Sequence, residues 1–490
     1  MNKIIVPALI QECVYVDDDR FLISENSRHL PAVQTFYKKM KATGREATFV
    51  SLPELKLSLN NENVALATSQ NQQKVIELFK LARQTGASDI HMEIGLGGVT
   101  KILMRINGEL EYIDSLDKQE GRELASTIVL SMCDMAEKQF NENRQQDGRL
   151  ASKFLDGLGL FGARYAHQPA VYGLYVVMRI LPDDGAEPPT LSDLGLLSQQ
   201  QQLIAQMVRK PEGVIILSGP TGSGKSTTLR TLGAMYTTNT DGKKRLMTVE
   251  DPPESKIQNA VQTAIVADKN NPEAVSQAWV RAMSAALRLD PDGILVGEIR
   301  CSNSAKTAVT AAMTGHLILT TLHANDPFNI LERLSTLNVD PTLIADPQLM
   351  TGLISQRLVP VLCPSCSKSY EEVRDKLSED ERRLVEKYCN VSQARFRDKS
   401  GCRSCEKLVK GARVSAGITG RTVIAEVVRP DASLLALYRA EGRLAARKYW
   451  HTTLKGITRS DHLKTLINSG SVDPLIAHSV SPLDEDEELM

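Results

Sequence analysis

The central part of the chain contains two regions in which apolar and polar residues follow different patterns. Between residues 72 and 84, apolar residues recur at helical spacing, which predicts an amphipathic helix. Strand-like runs follow at 100–106, where Asn107-Gly108 is a hairpin turn signal, and at 173–181. Residues 66–185 therefore predict a small α+β domain.

The pattern changes beyond a turn-rich stretch at 183–189, which we interpret as an interdomain linker. Short apolar runs alternate with helical stretches, and a further run lies at 421–428. This alternation predicts a parallel sheet with helical crossovers in a domain spanning 190–430. The predicted strands of this domain are 213–218, 245–249, 293–297 and 317–321.

The two ends of the chain differ from these domains. Residues 1–65 mix short apolar runs with polar stretches and end near a linker-like segment at 58–63, so we predict a separate segment that docks a partner. Residues 431–490 predict a helical C-terminal region with an acidic tail.

Composition narrows the class of protein. The chain is 42% hydrophobic and 24% charged, with a net charge of −1, as expected for a globular protein. Aromatic residues make up 4%, and a basic footprint is missing, so a nucleic-acid partner is not expected. No apolar run approaches the roughly 18 residues that span a bilayer, and the N-terminus lacks signal-peptide features. These features predict a cytoplasmic protein.

A glycine-rich loop follows the first strand of the 190–430 domain. Gly219 to Ser226 matches the pattern G-x-x-x-x-G-K-[ST] between an apolar strand and a helix, an arrangement in which backbone N–H groups cradle nucleotide phosphates. Lys225 is expected to reach the β- and γ-phosphates of ATP, and the Ser226 hydroxyl to bind Mg²⁺. A glycine turn without a ligand is the alternative. The predicted binding residues are Gly219, Pro220, Thr221, Gly222, Ser223, Gly224, Lys225, Ser226 and Thr227.

Later strands of the same domain end in carboxylates and histidines. Glu250 and Glu298 follow predicted strands, and functional groups collect at the carboxyl ends of strands in open α/β sheets. We expect Glu298 to activate water and Glu250 to assist. His316 and His323 bracket another strand, which favours a γ-phosphate sensor or relay. A solvated acidic turn and structural histidines are the alternatives.

Four of the eight cysteines form two C-x2-C pairs, Cys363 with Cys366 and Cys402 with Cys405. Each pair presents two thiolates from one turn, and two such turns complete a tetrahedral metal site. We therefore predict a structural zinc site in a module spanning 363–405. Cys389, between the pairs, is interpreted as an ordinary buried thiol.

Several motifs together resemble the secretion and type IV pilus ATPases. The phosphate loop, Val249-Glu-Asp-Pro, Val296-Gly-Glu-Ile-Arg and Thr314-Gly-His look like the Walker A motif, Asp box, Walker B motif and His box of that family. The likeness covers roughly residues 70 to 430 and includes Ala87-Ser-Asp-Ile-His and the twin cysteine pairs. It implies a RecA-like ATPase domain that follows a PAS-like domain and carries the zinc module as an insert.

The resemblance also implies function. Members form homohexameric rings in which arginines of the smaller domain approach the phosphates; Arg164 and Arg179 match such positions. The cysteine module is typical of pilus-assembly and type II secretion motors. We therefore expect an ATPase, peripheral to the inner membrane through its partners, that drives pilus or pseudopilus assembly by way of an inner-membrane platform protein. The alternatives are a nucleic-acid-translocating motor, a pilus retraction ATPase and a scaffold that does not hydrolyse ATP.

Overall fold

The computed structural model describes residues 6–7, 10, 13–16, 21–43, 45–50, 69–135, 139–183, 185, 187–267, 271–409 and 412–487 of the 490-residue chain. The predicted linker at 58–63 and the last three residues of the predicted acidic tail lie outside the described residues. The described residues contain one three-stranded sheet and two seven-stranded sheets, each packed with helices. A smaller segment carries the paired cysteines.

The first sheet lies near the N-terminus and is small. Its elements are β1 Val14–Val16, β2 Phe21–Ser24, α1 Pro31–Ala42 and β3 Thr48–Val50. β2 pairs antiparallel with β1 and parallel with β3. Val14, Phe21 and Phe36 are buried between the sheet and α1, so this part of the chain has a small core of its own.

The second sheet is antiparallel and carries two helices. Its elements are α2 Gln70–Thr85, β4 Ala87–Ile94, β5 Val99–Ile106, β6 Glu109–Asp117, α3 Lys118–Thr127, β7 Cys133–Met135, β8 Gln146–Leu150, β9 Leu160–Ala170 and β10 Gly173–Pro182. The strand order is β6-β5-β4-β10-β9-β8-β7. Asn107 and Gly108, both with positive φ, form the tight β5–β6 turn, as their sequence predicts.

Alternate residues of these strands face the helices. Ile102, Met104 and Ile106 on β5 are buried in one core with Val75 and Phe79 of α2. Such period-two burial is expected of a strand with one covered face. The α+β character predicted for this part of the chain is confirmed.

The third sheet contains the phosphate loop. Its first elements are α4 Ser198–Val208, β11 Gly213–Ser218, α5 Lys225–Asn239, β12 Leu246–Glu250, β13 Ala260–Ala264, α6 Pro272–Ala286, β14 Gly293–Val296, α7 Ser302–Met313, β15 Leu317–Leu322, α8 Pro327–Thr336, α9 Pro341–Ile344 and β16 Met350–Leu362. The strands lie in the order β13-β12-β14-β15-β11-β16, all parallel. The predicted parallel sheet with helical crossovers is confirmed.

Helices cover both faces of this sheet. On β11, Val214 and Ile216 are buried in one core, whereas Ile215 and Leu217 are buried in the core on the opposite face. A strand covered on both sides reads as a continuous apolar run, and this explains the unbroken apolar sequence before the phosphate loop.

The cysteine-bearing segment follows β16 and leads back into the sheet. Its elements are β17 Lys368–Ser369, α10 Tyr370–Val373, α11 Glu379–Tyr388, β18 Arg395–Phe396, β19 Lys407–Val409, β20 Ala412–Val414 and β21 Ile418–Val428. β21 pairs antiparallel with β16 and completes the third sheet. The β19–β20 hairpin packs on the second sheet, where Val409 and Val414 join the core.

The remaining helices pack on the third sheet and on the cysteine-bearing segment. They are α12 Ala432–Glu441, α13 Arg443–Thr452, α14 Arg459–Asn468 and α15 Pro474–Val480. Leu434 and Trp450 share a core with the strands, and Leu463 shares one with Phe396 and Val359. The C-terminal helices therefore share cores with the units that precede them, whereas the domain boundaries drawn from the sequence remain predictions.

Candidate active site

The phosphate loop joins β11 to α5 at the carboxyl edge of the third sheet. Gly219 has a φ of 143°, and a Cβ atom there would lie 2.3 Å from the Gln356 carbonyl oxygen. Gly224 has a φ of 84°, which also favours glycine. Gln356 on β16 donates from Nε2 to the Ser223 carbonyl oxygen (2.7 Å). The glycines are therefore required by the close passage of β16 beneath the loop.

The electrostatics of the loop favour an anion. Lys225 donates from Nζ to the carbonyl oxygens of Gly219 (2.8 Å) and Pro220 (2.9 Å). Burial lowers the pKa of Lys225, while the nearby Glu298 and Glu254 oppose that shift. The first N–H groups of α5 have no partner within the helix and point toward the loop. Such N–H groups with a lysine are the donors that a nucleotide's phosphates require.

The remaining loop residues are accessible to a ligand. Thr221 and Gly222 at the tip of the loop are exposed, and so are Ser226 and Thr227 in the first turn of α5. A hydroxyl on the first turn of this helix suits a magnesium ligand beside the phosphates.

Glu298 lies just beyond the end of β14 with a nitrogen partner at each oxygen. Its Oε1 lies 3.1 Å from His323 Nε2, and its Oε2 accepts from Arg300 Nε (2.9 Å). His323 follows β15, the neighbouring strand, so parallel pairing brings both residues to one edge. The two contacts hold the Glu298 carboxylate in one orientation. The structure thus places Glu298 and His323 at the edge of the sheet that carries the phosphate loop.

Glu250 ends β12, on the other side of β14 from β15. Thr248 Oγ1 and Gln262 Nε2 donate to its Oε1 at 2.6 and 3.2 Å. Burial raises the pKa of Glu250, and these two hydrogen bonds oppose the rise. Its carboxylate is therefore held in place at the same edge as Glu298.

Arg164 on β9 crosses from the second sheet to the acidic turn after β12. Its Nη2 donates to the Pro252 carbonyl oxygen (3.2 Å) and lies 3.1 Å from Glu254 Oε1. Its Nε is buried and lacks a hydrogen-bond partner among the described residues. The structure therefore brings this predicted arginine to the rim of the site.

Arg179 and His316 do not reach the loop. Arg179 Nε donates to Asp89 Oδ1 (3.0 Å) within the second sheet. His316 precedes β15, and its carbonyl oxygen accepts from Gly213 N (3.2 Å) at the amino end of β11. Six residue steps separate Gly213 from Gly219 at the start of the loop, or roughly 20 Å at strand spacing. His316 therefore lies at the edge of the sheet opposite the phosphate loop, because the two ends of a strand lie at opposite edges. This position does not favour direct contact with the γ-phosphate, and the role of sensor or relay stays a prediction.

Three residues that contact the loop or the two carboxylates were not among the site residues predicted from the sequence. Gln356 supports the loop, Gln262 binds Glu250, and Arg300 binds Glu298. Gln356 carried a signal, since a glutamine amid the apolar residues of β16 is fully buried and must find a hydrogen-bond partner.

The four paired cysteines form a second site. Their sulfur atoms all lie within 4.8 Å of one another, with Cys363–Cys402 at 3.7 Å and Cys366–Cys405 at 3.9 Å. Four thiolates around a zinc ion with Zn–S bonds of about 2.3 Å would lie about 3.8 Å apart. The residues therefore fit a zinc ion.

Backbone groups support the thiolates. The Cys405 N–H lowers the pKa of Cys402 to about 6, against the effect of burial, and Gly417 N donates to Cys405 Sγ (3.3 Å). Cys389 lies outside the cluster, and burial raises its pKa to about 11, as expected of an inert thiol.

Comparison with known proteins identifies the family. The family model described as "Type II/IV secretion system protein" matches residues 68–472. The chain belongs to the type II/IV secretion system protein family. The resemblance predicted from the motifs is confirmed, and the match covers both the second and the third sheet.

Named relatives within this family share much of the chain. It is 33% identical to the type II secretion system ATPase E of Vibrio cholerae serotype O1, over 82% of this chain and 74% of that protein. It is also 33% identical to the type IV pilus assembly ATPase PilB of Thermus thermophilus, over 83% of this chain and 41% of that protein. Both names state an ATPase, the enzyme class predicted from the sequence.

A solved structure supports the fold of this family member. The pilus retraction motor PilT with bound ADP matches with a TM-score of 0.54 and 25% identity, over 85% of this chain and 99% of that one. The fold class predicted from the sequence, a RecA-like domain preceded by an α+β domain, is confirmed. No helix within the described part of the chain is both long and apolar enough to cross a membrane.

Proposed function

We propose that this family member hydrolyses ATP to power assembly of a type IV pilus or a type II secretion pseudopilus through an inner-membrane platform protein. The observation that carries the proposal is the placement of Glu298. It lies at one sheet edge with the phosphate loop, held between His323 and Arg300. A carboxylate oriented by two partners beside a phosphate-binding loop is the arrangement that water activation requires.

The other residues of the site divide the remaining tasks. Lys225 and the N–H groups of the loop hold the phosphates of ATP. Ser226, with the strand-end carboxylates, would hold Mg²⁺, which supplies positive charge against the phosphate oxygens when bound. Glu250 assists in orienting water, because its carboxylate is fixed by Thr248 and Gln262.

We assign the working assembly to a homohexameric ring. Arg164 supports this part of the proposal, because it already crosses from the second sheet to the acidic turn at Glu254. Movement between the sheets would then carry its guanidinium toward or away from the phosphates. Arg179 belongs to the same predicted set of arginines, and its exposed guanidinium pairs with Asp89. To contact the nucleotide of a neighbouring subunit, Arg179 would have to leave this ion pair.

The location follows from the partners. We place the ring in the cytoplasm, peripheral to the inner membrane and held there by the platform protein. The four clustered cysteines would hold a structural zinc ion, since a closed set of four thiolates leaves no position for a substrate.

The experiment measures ATP hydrolysis by the purified protein with and without the cytoplasmic part of the platform protein. We expect hydrolysis that the platform protein stimulates and nucleic acid does not. Stimulation by nucleic acid alone would instead favour a translocating motor. Loss of pilus retraction, with assembly intact, in cells lacking the chain would favour a retraction ATPase.

A matched pair of variants tests the site itself. Glu298→Gln is expected to reduce turnover about 10²- to 10⁴-fold while ATP binding persists, because it removes the base and keeps the shape. Glu441→Gln, on an exposed end of α12, is the control and should leave turnover unchanged. Unaltered turnover in Glu298→Gln would contradict the assignment, and wild-type protein that binds ATP without hydrolysing it would indicate a scaffold.

A further inference from the structure

A buried cluster of charged side chains lies between β21 and the C-terminal helices. Glu426 on β21 is fully buried and accepts from both Nη atoms of Arg447, at 2.6 and 3.2 Å. Arg459, the first residue of α14, is 2% exposed, and its Nη1 lies 3.7 Å from Glu426 Oε2. Removing charges from water is costly, and apolar residues often replace such buried clusters without loss of stability. Stability alone therefore does not explain the cluster.

The cluster reaches the turn that carries His323. Arg459 donates from Nη1 to the Asn325 carbonyl oxygen (2.7 Å) and lies 3.3 Å from Ser355 Oγ. Ser355 Oγ donates to the same carbonyl at 3.2 Å. Asn325 is two residues beyond His323, whose ring contacts Glu298. Hydrogen bonds to the Asn325 carbonyl, the backbone between Asn325 and His323, and the contact of His323 with Glu298 thus connect α14 to the carboxylate of the active site.

The end of the chain completes the cluster. Glu485 Oε1 accepts from Arg459 Nη2 (3.0 Å), and its other oxygen accepts from Ser481 Oγ (2.9 Å). Asp486 accepts from Arg447 Nη2 (2.8 Å) and is itself buried. Part of the predicted acidic tail is therefore bound to the two arginines.

Charge explains why the tail is needed. A third arginine, Arg357, faces the same cluster: burial and Arg459 lower its pKa, whereas Glu485 and Glu426 oppose that shift. Without the charges of Glu485 and Asp486, Glu426 would be the one carboxylate left to balance the three arginines among the described residues of the cluster. Repulsion among the arginines would then displace the Arg459 guanidinium from the Asn325 carbonyl oxygen.

We propose that Arg459, held by the acidic tail through Glu485, is a positioning residue for ATP hydrolysis. It fixes the Asn325 carbonyl and thereby keeps the His323 ring against Glu298. The inference rests on the proposed function for its kinetic consequence, whereas the placement of His323 is independent of it.

The experiment compares two tail variants in the full chain. Glu485→Gln removes the charge that holds Arg459. Glu487→Gln is the matched control, because Glu487 lies in the same tail but pairs with Lys387 on α11 (2.7 Å). Ser355→Ala, which removes the second donor to Asn325 without altering charge, serves as an independent perturbation. Each variant is made alone and with His323→Ala.

We expect Glu485→Gln and Ser355→Ala each to lower kcat about tenfold, with KM for ATP and the thermal midpoint close to wild type, since small displacements of a positioned group mainly affect turnover. Glu487→Gln should match wild type. With His323→Ala present, the two changes should lower kcat no further, because they act through that ring. Unchanged kcat in both variants, or full additivity with His323→Ala, would overturn the inference.

A second measurement does not depend on activity. In protein with ¹³C-labelled histidine, the His323 ring resonances should shift in Glu485→Gln and stay in place in Glu487→Gln. Unmoved His323 resonances in Glu485→Gln would refute the proposed link even if the protein hydrolyses ATP. Inactive wild-type protein with the expected shifts would instead refute the proposed function and leave the positioning role standing.

Discussion

Acid is expected to lower the free energy of unfolding through one buried residue, His462 on α14. The side chain is fully buried, with Nδ1 accepting from Ala425 N (3.2 Å) and Nε2 lying 3.1 Å from the Gly195 carbonyl oxygen. This pair of partners suits the neutral ring, since a proton on Nδ1 would face another N–H. Burial accordingly lowers the pKa of His462 from 6.5 to about 4.

The size of the effect follows from linkage. Between pH 6.5 and pH 4 the unfolded chain binds a proton at this position and the folded chain does not, so the free energy of unfolding falls as the pH falls. The full loss, from a pH above both pKa values to a pH below both, is about 3 kcal/mol, since one pKa unit is worth about 1.4 kcal/mol. Between pH 7 and pH 5 the expected loss is about 2 kcal/mol.

Urea unfolding at the two pH values measures this loss. We compare wild type with His462→Asn, whose amide cannot titrate, and with His29→Asn, which alters an exposed histidine. The pH-dependent loss should be about 2 kcal/mol smaller in His462→Asn and unchanged in His29→Asn. An equal loss in wild type and His462→Asn, or a His462 NMR titration centred near 6.5, would refute the reasoning.

Three further predictions concern the two sites. Gly219→Ala should abolish ATP binding in calorimetry with the fold intact by circular dichroism, because the new Cβ would lie 2.3 Å from the Gln356 carbonyl oxygen; retained affinity would contradict this packing. Cys402→Ser should lose the bound zinc in metal analysis and speed amide exchange in the β19–β20 hairpin, and unchanged metal content would exclude the cysteine site. Gln262→Leu removes a donor that lowers the pKa of Glu250, so the acid limb of kcat/KM should move to higher pH; a fixed limb would show that Glu250 does not control it.

The strands that carry the site residues could be predicted from the sequence, whereas the neighbouring strand β16 could not. The strands before Gly219 and Glu298 were readable because each is a short run buried on both faces. β16 was missed because Gly352, Ser355 and Gln356 interrupt its apolar pattern. Those polar groups are buried only because the loop and the Asn325 turn supply their partners, which local sequence does not reveal.

Arginine placement shows the same limit. Arg164 and Arg179 were equal candidates by motif, yet one reaches Glu254 and the other pairs with Asp89. Their strands pair directly, with Arg179 opposite Arg164. Which of two adjacent cations meets the acidic turn depends on how the second sheet sits against the third, and no short segment encodes that orientation.

The sequence by itself determined the phosphate loop, the carboxylates at the strand ends and the paired cysteines, because each depends on residues that are neighbours along the chain. The tertiary structure decided the partners that lie far apart in sequence. It joined Glu298 to His323, separated His316 from the loop, and bound the acidic tail to Arg459. Sheet order and helix packing set these distances, since a strand has two ends and only the assembled sheet determines what each end meets.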